Sequence, residues 1–346
     1  DFHEFSNNDC HGPMLKVTTV EIDTTLKAVV ALKCLLKGES YNLSRFKTKE
    51  FEKMLVNSIR SNQYDLILFD SIYSAVFIKE IKQITTAKLV IRTHNVEYKI
   101  WSELSQKARN PLKKWYLKKL SQSLLSAEQQ ILSSADGVLT ISEDDLKLFH
   151  TMKISSPMKS ISVPLQTTPY KTDYTNSSFY FIGSMNWEPN IDALHFLLDS
   201  IWPEIKTQLP KAQLIIVGSF MEKVRVESTV DIHVKGFVED LDQVYLNEGI
   251  LLCPIRLGSG VRIKVLEAMS KGAPIVSSEK GVEGIPSIND CIAVTTGNED
   301  FTRSAVALNT DPERRKILGE NARKYIQKNY SITKIAEQLD GFLRAL

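Results

Sequence analysis

A chain of 346 residues, 43% hydrophobic and 24% charged, is large enough for two ordinary domains with buried cores. Its 43 basic and 41 acidic residues leave a formal charge of +2, so no global field favours nucleic acid or an acidic polymer as partner, and any anion site has to be local. The four cysteines, Cys10, Cys34, Cys253 and Cys291, are scattered without CxxC spacing or a histidine at zinc-ligand distance, which argues against a structural metal and for a reducing compartment.

No apolar run approaches the ~20 residues of a membrane span, and no signal-peptide pattern opens the chain. The protein is therefore expected to be cytoplasmic, or peripheral at the inner face of a membrane. The chain starts at Asp1 with no convincing strand in its first fifteen residues, which suggests a truncated or processed N-terminus. Short apolar runs then alternate with amphipathic stretches: LKVTTVEI from Leu15, a helical KTKEFEKMLVNSIRS from Lys47, a strand DLILFD ending at Asp70 and a strand KLVIRT ending at Thr93. A long basic helical region from about Trp101 to Ser134 leads into the strand GVLTIS, whose Ser142 caps a helix with Asp144 and Asp145 in its first turn. Within this region the run from Lys107 to Leu120 sets Lys113, Lys114, Lys118 and Lys119 around Leu112, Trp115 and Tyr116. Peripheral contact with an anionic membrane through 107–120 is one expectation for such a run, and a packed helix with a solvated face is the other.

After ISVPLQ the polar, turn-rich TTPYKTDYTNSS marks the domain boundary, giving domains 1–166 and 167–346. The alternation then restarts with strands SFYFIGS, AQLIIVG, IHVKGFV, ILLCPI and PIVSS separated by helical segments, and closes on a helical region from about Pro312. Continuous Val/Ile/Leu strands between helices predict a parallel sheet covered on both faces. The fold class is α/β, with two Rossmann-like domains facing each other across a cleft, and ligands are expected in that cleft.

The strongest chemical signal is LGSGVRIKVLEAMSKG, from Leu257 to Gly272. A buried strand ends just before it, Gly258, Ser259 and Gly260 make a flexible turn, and the rest has helical spacing with Gly272 as C-cap. Free backbone amides and the positive end of the helix then point at the carboxyl edge of the sheet, where anions settle. Arg262 and Lys264 add the charge a diphosphate needs, and Glu267, one turn further in, suits a ribose diol. An αβ unit with solvated Arg and Lys is the plain alternative for this segment taken alone. Asp240-Leu241-Asp242 looks like a metal-binding acid pair, but it opens a helix after a strand loop and is expected to be an N-cap.

Four stretches in order carry a resemblance that spans essentially the whole chain: RTHNVEYKIW (Arg92 to Trp101), FIGSMNWEPN (Phe181 to Asn190), VKGFVEDL (Val234 to Leu241) and GSGVRIKVLEAMSKGAPIVSSEKGVEGI (Gly258 to Ile285). The last is the most specific. Together they resemble a family-four retaining glycosyltransferase of the GT-B fold, glycosyl transferases group 1, of the bacterial surface-polysaccharide type. The resemblance implies that Glu267 binds the nucleotide ribose, and that Lys264, Arg262 and the Gly260 and Val261 amides hold the diphosphate. The turn Gly236, Phe237, Val238 resembles the one that reads the base edge, Gly183 and Ser184 sit where a glycine loop approaches the phosphates, and His94 matches the active-site histidine facing the donor sugar.

Three departures qualify it. Family members often carry two glutamates eight positions apart, and here Ser259 stands at the first, so the resemblance leaves the donor-sugar contact without its usual acid and main chain from Gly258 to Gly260 is the expected replacement. The Arg and Lys often found after the second motif's strand are replaced by Ser184, Met185, Asn186 and Trp187. The family's opening strand and acceptor loop, roughly one βαβ unit of ~30 residues, are also absent, so the N-terminal domain is expected to lack its first unit.

The implied reaction is retaining, metal-independent sugar transfer from a UDP-, GDP- or ADP-sugar to a glycan or glycolipid acceptor, without cofactor and without nucleic acid. Two rivals remain at this point: a nucleotide-sugar epimerase of similar plan, and a catalytically inactive sugar-nucleotide or partner-binding module. A dehydrogenase is disfavoured, because no G-x-G-x-x-G follows the first strand of either half.

Overall fold

The computed structural model describes residues 17–25, 27–166, 172–258 and 260–346. Ser259 and the start of the chain, including Leu15 and Lys16, lie outside them. In the N-terminal lobe α1 (Ala28–Lys37), α2 (Tyr41–Ser44) and α3 (Lys49–Ser61) precede β1 (Leu66–Phe69). There follow α4 (Ile78–Ile81), β2 (Lys88–Thr93), α5 (Glu97–Lys107), α6 (Pro111–Leu132), β3 (Gly137–Thr140), α7 (Glu143–Thr151) and β4 (Met158–Ser160). The four strands pair in parallel in the order β1-β2-β3-β4.

Residues 17–25 form no strand, so the apolar run LKVTTVEI does not open the sheet as its pattern suggests. Among the described residues β1 is an edge strand, with Leu66 and Leu68 exposed. The basic helical region from Trp101 to Ser134 is two helices rather than one. Asn110 accepts bonds from the Leu112 and Lys113 amides, and Pro111 takes the first helical position, where its missing N–H costs nothing. Ser142 caps α7 by accepting from the Asp145 amide.

The C-terminal lobe runs β5 (Phe179–Ile182), α8 (Glu188–Phe196), a π turn, α9 (Trp202–Gln208), β6 (Leu214–Val217), β7 (Ile232–Gly236), α10 (Leu241–Asn247), β8 (Ile250–Cys253), α11 (Ile263–Lys271), β9 (Ile275–Ser278) and β10 (Ala293–Thr295). Three helices, α12 (Asn298–Thr310), α13 (Pro312–Asn329) and α14 (Ile332–Leu343), complete it. The parallel order is β10-β9-β8-β5-β6-β7, which counted within the lobe is the doubly wound 3-2-1-4-5-6 read from the other edge. β10 is only three residues long, and the sequence pattern does not announce it.

β5, β6 and β8 are buried along their whole length, as continuous apolar strands with helices on both faces require. Asp240 accepts from the Asp242 amide and caps α10, and Gly272 ends α11 with φ 73°. α14 leaves its own lobe. Its Ile335 and Phe342 pack with Val90, Leu139 and Ile161 of the N-terminal sheet, and Leu165 donates its amide to the Tyr330 carbonyl. Each buried side chain of this size stabilises by about 2–3 kcal/mol, so this helix ties the lobes together.

Candidate active site

The strand order of the C-terminal sheet reverses between β5 and β8, and a crevice opens beyond the carboxyl ends of those two strands. The N-terminal lobe covers it. Between them lies a cavity of about 340 Å³, lined by Arg92, His94, Asn95 and Ile141 on one side and by Trp187, Asn190, Val261, Arg262 and Lys264 on the other.

Lys264 stands in the first turn of α11, where the Val265 amide already donates to the Arg262 carbonyl and the Ile263 and Lys264 amides precede the first such bond. Its Nζ donates to the Ile182 carbonyl at 2.6 Å and to Asn190 Oδ1 at 3.0 Å, above the Phe181 ring. Burial holds its pKa below the ordinary lysine value. The end of β5 is shaped for this contact. Asn190 lies so close to Gly183 that a Cβ there would come within 2.8 Å of the Asn190 side chain, and a Cβ on Gly218 would strike the Gly183 carbonyl. Ser184 accepts a hydrogen bond from Ser219 and, through its carbonyl, another from Asn190.

Arg262 does something the sequence does not foretell. Expected to reach for a diphosphate, its guanidinium is 3% exposed and donates to the carbonyls of Leu257, Gly258 and Gly260. The turn's own acceptors are thus gathered inward around one cation, stacked 5.3 Å from the Trp187 ring. Gly258 and Gly260 adopt φ of 89° and 83°, the left-handed region in which a side chain is strained. The Gly258 amide donates to Glu103 Oε2 of α5 at 2.9 Å, so the opposite lobe holds the turn from outside. Gly260 touches the other lobe as well. A Cβ there would lie 2.7 Å from the His94 carbonyl oxygen and 2.8 Å from Asn95 Oδ1.

His94 follows β2, and its Nε2 lies 2.9 Å from Oδ1 of Asp70, the residue after β1. Arg92 approaches the same oxygen at 3.6 Å. Behind His94, α5 begins without a side-chain cap of its own at Val96, and Glu128 from α6 accepts both the Glu97 and Tyr98 amides, at 2.9 and 3.0 Å. Burial outweighs these two bonds and pushes the Glu128 carboxyl up to about 8. Tyr73 donates to Glu97 Oε2, and Glu97 is likewise raised by burial.

Further along α5, Lys99 pairs with Glu283 at 3.3 Å, while Lys280 bridges Glu283 at 2.7 Å and Glu103 at 3.5 Å. Asp145 in α7 is 2% exposed, and burial, reinforced by the Glu283 charge, raises it to about 7. One helix therefore carries the histidine loop at its start and grips the glycine turn along its length.

Of the other expected residues, Glu267 and the turn at Gly236, Phe237 and Val238 lie outside the interlobe cavity. Glu267 sits one turn into α11 and accepts a hydrogen bond from the Tyr245 hydroxyl of α10 at 2.9 Å. Gly236, with φ 69°, ends β7, Phe237 beyond it is 66% exposed, and Val238 packs on the core of its lobe. Val261 is buried and lines the cavity itself.

Residues 176–311 match the model of the family Glycosyl transferases group 1. The match covers most of the C-terminal lobe, including β5, the glycine turn and α11. An uncharacterized 44.6 kDa protein in the cps region of Klebsiella pneumoniae is 24% identical over 292 residues, 80% of this chain and 73% of that protein. Among solved structures, Anabaena Alr3699/HepE in complex with UDP and glucose superposes with a TM-score of 0.66 at 16% identity, covering 85% of this chain and 81% of that one. Sucrose-phosphate synthase from Thermosynechococcus elongatus gives a TM-score of 0.65 at 15% identity, with coverage of 86% and 79%. The fold is that of GT-B glycosyltransferases.

Sequence reasoning passed over Asp70, Glu103 and Glu128. Asp70 had a signal, since it ends a strand at the carboxyl edge beside the strand that carries His94. Glu128 had another: it is an acid on a helix face that buries Leu117, Leu120, Leu124 and Leu132, and such an acid needs a partner. Glu103 had none, because it stands in an ordinary amphipathic helix and meets Gly258 only when the lobes come together.

Proposed function

We propose that this chain is a retaining, metal-independent glycosyltransferase that moves a sugar from a nucleoside diphosphate sugar to a hydroxyl of a glycan or glycolipid, in the construction of a surface polysaccharide. One observation carries the reading. Lys264 and the start of α11 line a cavity at the switch point of a doubly wound sheet, across from His94, whose ring is held by Asp70.

On this reading the diphosphate rests at the α11 N-terminus, with Lys264 as its counter-charge and the Gly260 and Val261 amides as donors. Arg262 acts one step removed: by collecting the turn's carbonyls it orients the remaining amides outward. That is preorganisation of dipoles toward charge that grows on the leaving phosphate. Glu267 takes the ribose diol, with Tyr245 fixing its carboxylate, and the base lies by the turn at Gly236, Phe237 and Val238. His94, oriented by Asp70, faces the donor sugar from the other lobe. The leaving phosphate accepts the proton of the incoming hydroxyl. The bridges from α5 to the glycine turn keep the lobes closed and water out. An acceptor carried on lipid would bring the segment 107–120 to the membrane.

Calorimetric titration of the whole chain with UDP-, GDP- and ADP-sugars tests the site. One donor is expected to bind, with at least tenfold weaker binding after Lys264→Ala and after Glu267→Ala; unchanged binding in both variants refutes the assignment. Incubation with donor alone separates the chemistry. Slow hydrolysis supports transfer, an epimerised sugar overturns it in favour of the rival enzyme, and binding without any turnover, even with acceptors supplied, points to an inactive module.

A further inference from the structure

A second cavity, larger than the one between the lobes, lies in the helical layer of the N-terminal lobe. It measures about 580 Å³, is walled by α2, α4 and the second half of α6, and shares no lining residue with the interlobe cavity. A volume of that order is ordinary for a small-molecule site.

One polar group in its wall is unexplained by the fold. Ser40 is 6% exposed and stands at the cap position of α2, yet its Oγ accepts no amide there and has no hydrogen-bond partner among the described residues. The Asn42 Nδ2 and Arg45 Nε atoms of the same segment are buried in the same condition. A hydroxyl buried without a bond costs stability that an alanine would not lose, so a serine here calls for a partner from outside the chain.

The rest of the lining selects that partner. Ser123 and Ser126 of α6 add two hydroxyls, and Gln130 accepts from Lys79 through Oε1 at 3.2 Å while its amide nitrogen makes no bond among the described residues. Hydroxyls that donate and accept, beside an amide that donates, suit a ligand bearing several hydroxyls of its own. Charge points the same way. Two acids, Glu39 and Glu80, stand with two lysines, Lys47 and Lys79, and Lys47 pairs with Glu80 at 2.8 Å, so the lining carries no net charge to attract an ion. Leu43, Val76 and Ala127 supply an apolar floor for the C–H face of a sugar ring. A nucleotide is disfavoured, because no lining side chain is aromatic to stack a base and the lysines are balanced by acids.

We propose that this cavity is a second saccharide site, binding a neutral sugar unit through Ser40, Ser126 and Gln130 outside the transfer cleft. The inference deepens the proposed transfer reaction and rests on that reading only for the source of the sugar, a glycan that the enzyme extends and holds at a point apart from its reacting end.

The test is titration of the whole chain with maltose, cellobiose, lactose and N,N′-diacetylchitobiose at millimolar concentration, read by saturation-transfer NMR and calorimetry, with glucose 6-phosphate and glucuronic acid as charged counterparts. At least one neutral disaccharide is expected to bind, and both charged sugars at least about tenfold more weakly. Ser126→Trp, at an exposed position of α6, should fill the cavity and abolish binding. Ser40→Ala should weaken it about fivefold, the worth of one hydrogen bond, and should leave the melting temperature of the sugar-free protein unchanged or raised, since the hydroxyl has no partner to lose. No binding by any disaccharide, tighter binding of the charged sugars, or undiminished binding by Ser126→Trp overturns the proposal. So does a Ser40→Ala protein that melts lower and binds sugar as before, because the serine then serves the fold. Donor titration separates this site from the cleft. Ser126→Trp should bind nucleotide sugar as the wild type does, and Lys264→Ala should keep the disaccharide. A wild-type chain that binds disaccharide but no donor sinks the transfer reading alone, and one that binds donor but no disaccharide sinks the second site alone.

Discussion

Gly260→Ala puts the closeness of the two lobes to the test. The turn holds Gly260 at φ 83°, and Arg262 fixes the carbonyls on either side, so an alanine has to accept the left-handed conformation at about 1–2 kcal/mol. Its methyl would also stand 2.7 Å from the His94 carbonyl oxygen and 2.8 Å from Asn95 Oδ1. Ordinary carbon–oxygen contacts begin near ~3.3 Å, so the lobes must part by roughly 0.6 Å at this point or strain against each other. Parting relieves the clash, which otherwise costs about 1–3 kcal/mol. The conformational cost should therefore appear in stability, and the displacement in catalysis. We expect urea unfolding to show a loss of about 1–2 kcal/mol. Turnover of donor and acceptor should fall ~10–100-fold in kcat/KM, since an error of order 1 Å in the placement of reacting groups is that damaging. Gly341→Ala is the control. It lies inside α14, where a Cβ meets nothing within 4 Å, and it should be neutral or stabilising by up to about 1 kcal/mol. A Gly260→Ala protein with wild-type stability and kcat/KM within twofold of wild type would refute the account of the turn.

Asp145 makes stability depend on pH in a defined direction. Its carboxyl titrates near 3.8 when unfolded and near 7 when folded, so between those values the folded chain holds the extra proton. The contribution is complete below about pH 4 and is lost as pH rises through 7, by up to ~4 kcal/mol for about three units. Asp145→Asn, which keeps the side chain neutral, should flatten unfolding free energies measured from pH 4.5 to 7.5 by a comparable amount; an unchanged slope would show that the buried carboxyl stays ionised. Across the lobes, Lys99→Ala and Glu283→Ala should be coupled by about 0.5–1 kcal/mol in a double-mutant cycle, as befits a pair with 26% and 22% of its side chains exposed. Additive losses would mean that the bridge does not hold the lobes.

What was legible in the sequence was whatever short segments decide. Strand and helix alternation, the caps at Ser142 and Asp240, the Gly272 terminator and the glycine turn ahead of Lys264 depend on residues a few positions apart, and the structure has them all. The helix boundary at Asn110 and Pro111 was legible too, but the basic character of the region masked it. β10 escaped because three residues carry no period, and α1 because its exposed leucines and valines do not resemble a core-facing stripe.

The assignment of roles followed a different rule. Residue types and their order along the chain were enough to determine that this is an α/β protein of two lobes with a glycine turn ahead of a helix start in the second. Only the tertiary structure decided that Arg262 turns inward on its own turn, that Asp70 orients His94, and that Glu128 caps the helix behind it. It alone brought Glu103 to the Gly258 amide across 155 positions of chain. The physical reason is range: a helix cap or a turn is settled by neighbours in sequence, whereas a buried charge finds its partner only after distant elements have packed and excluded the water that would otherwise have solvated it.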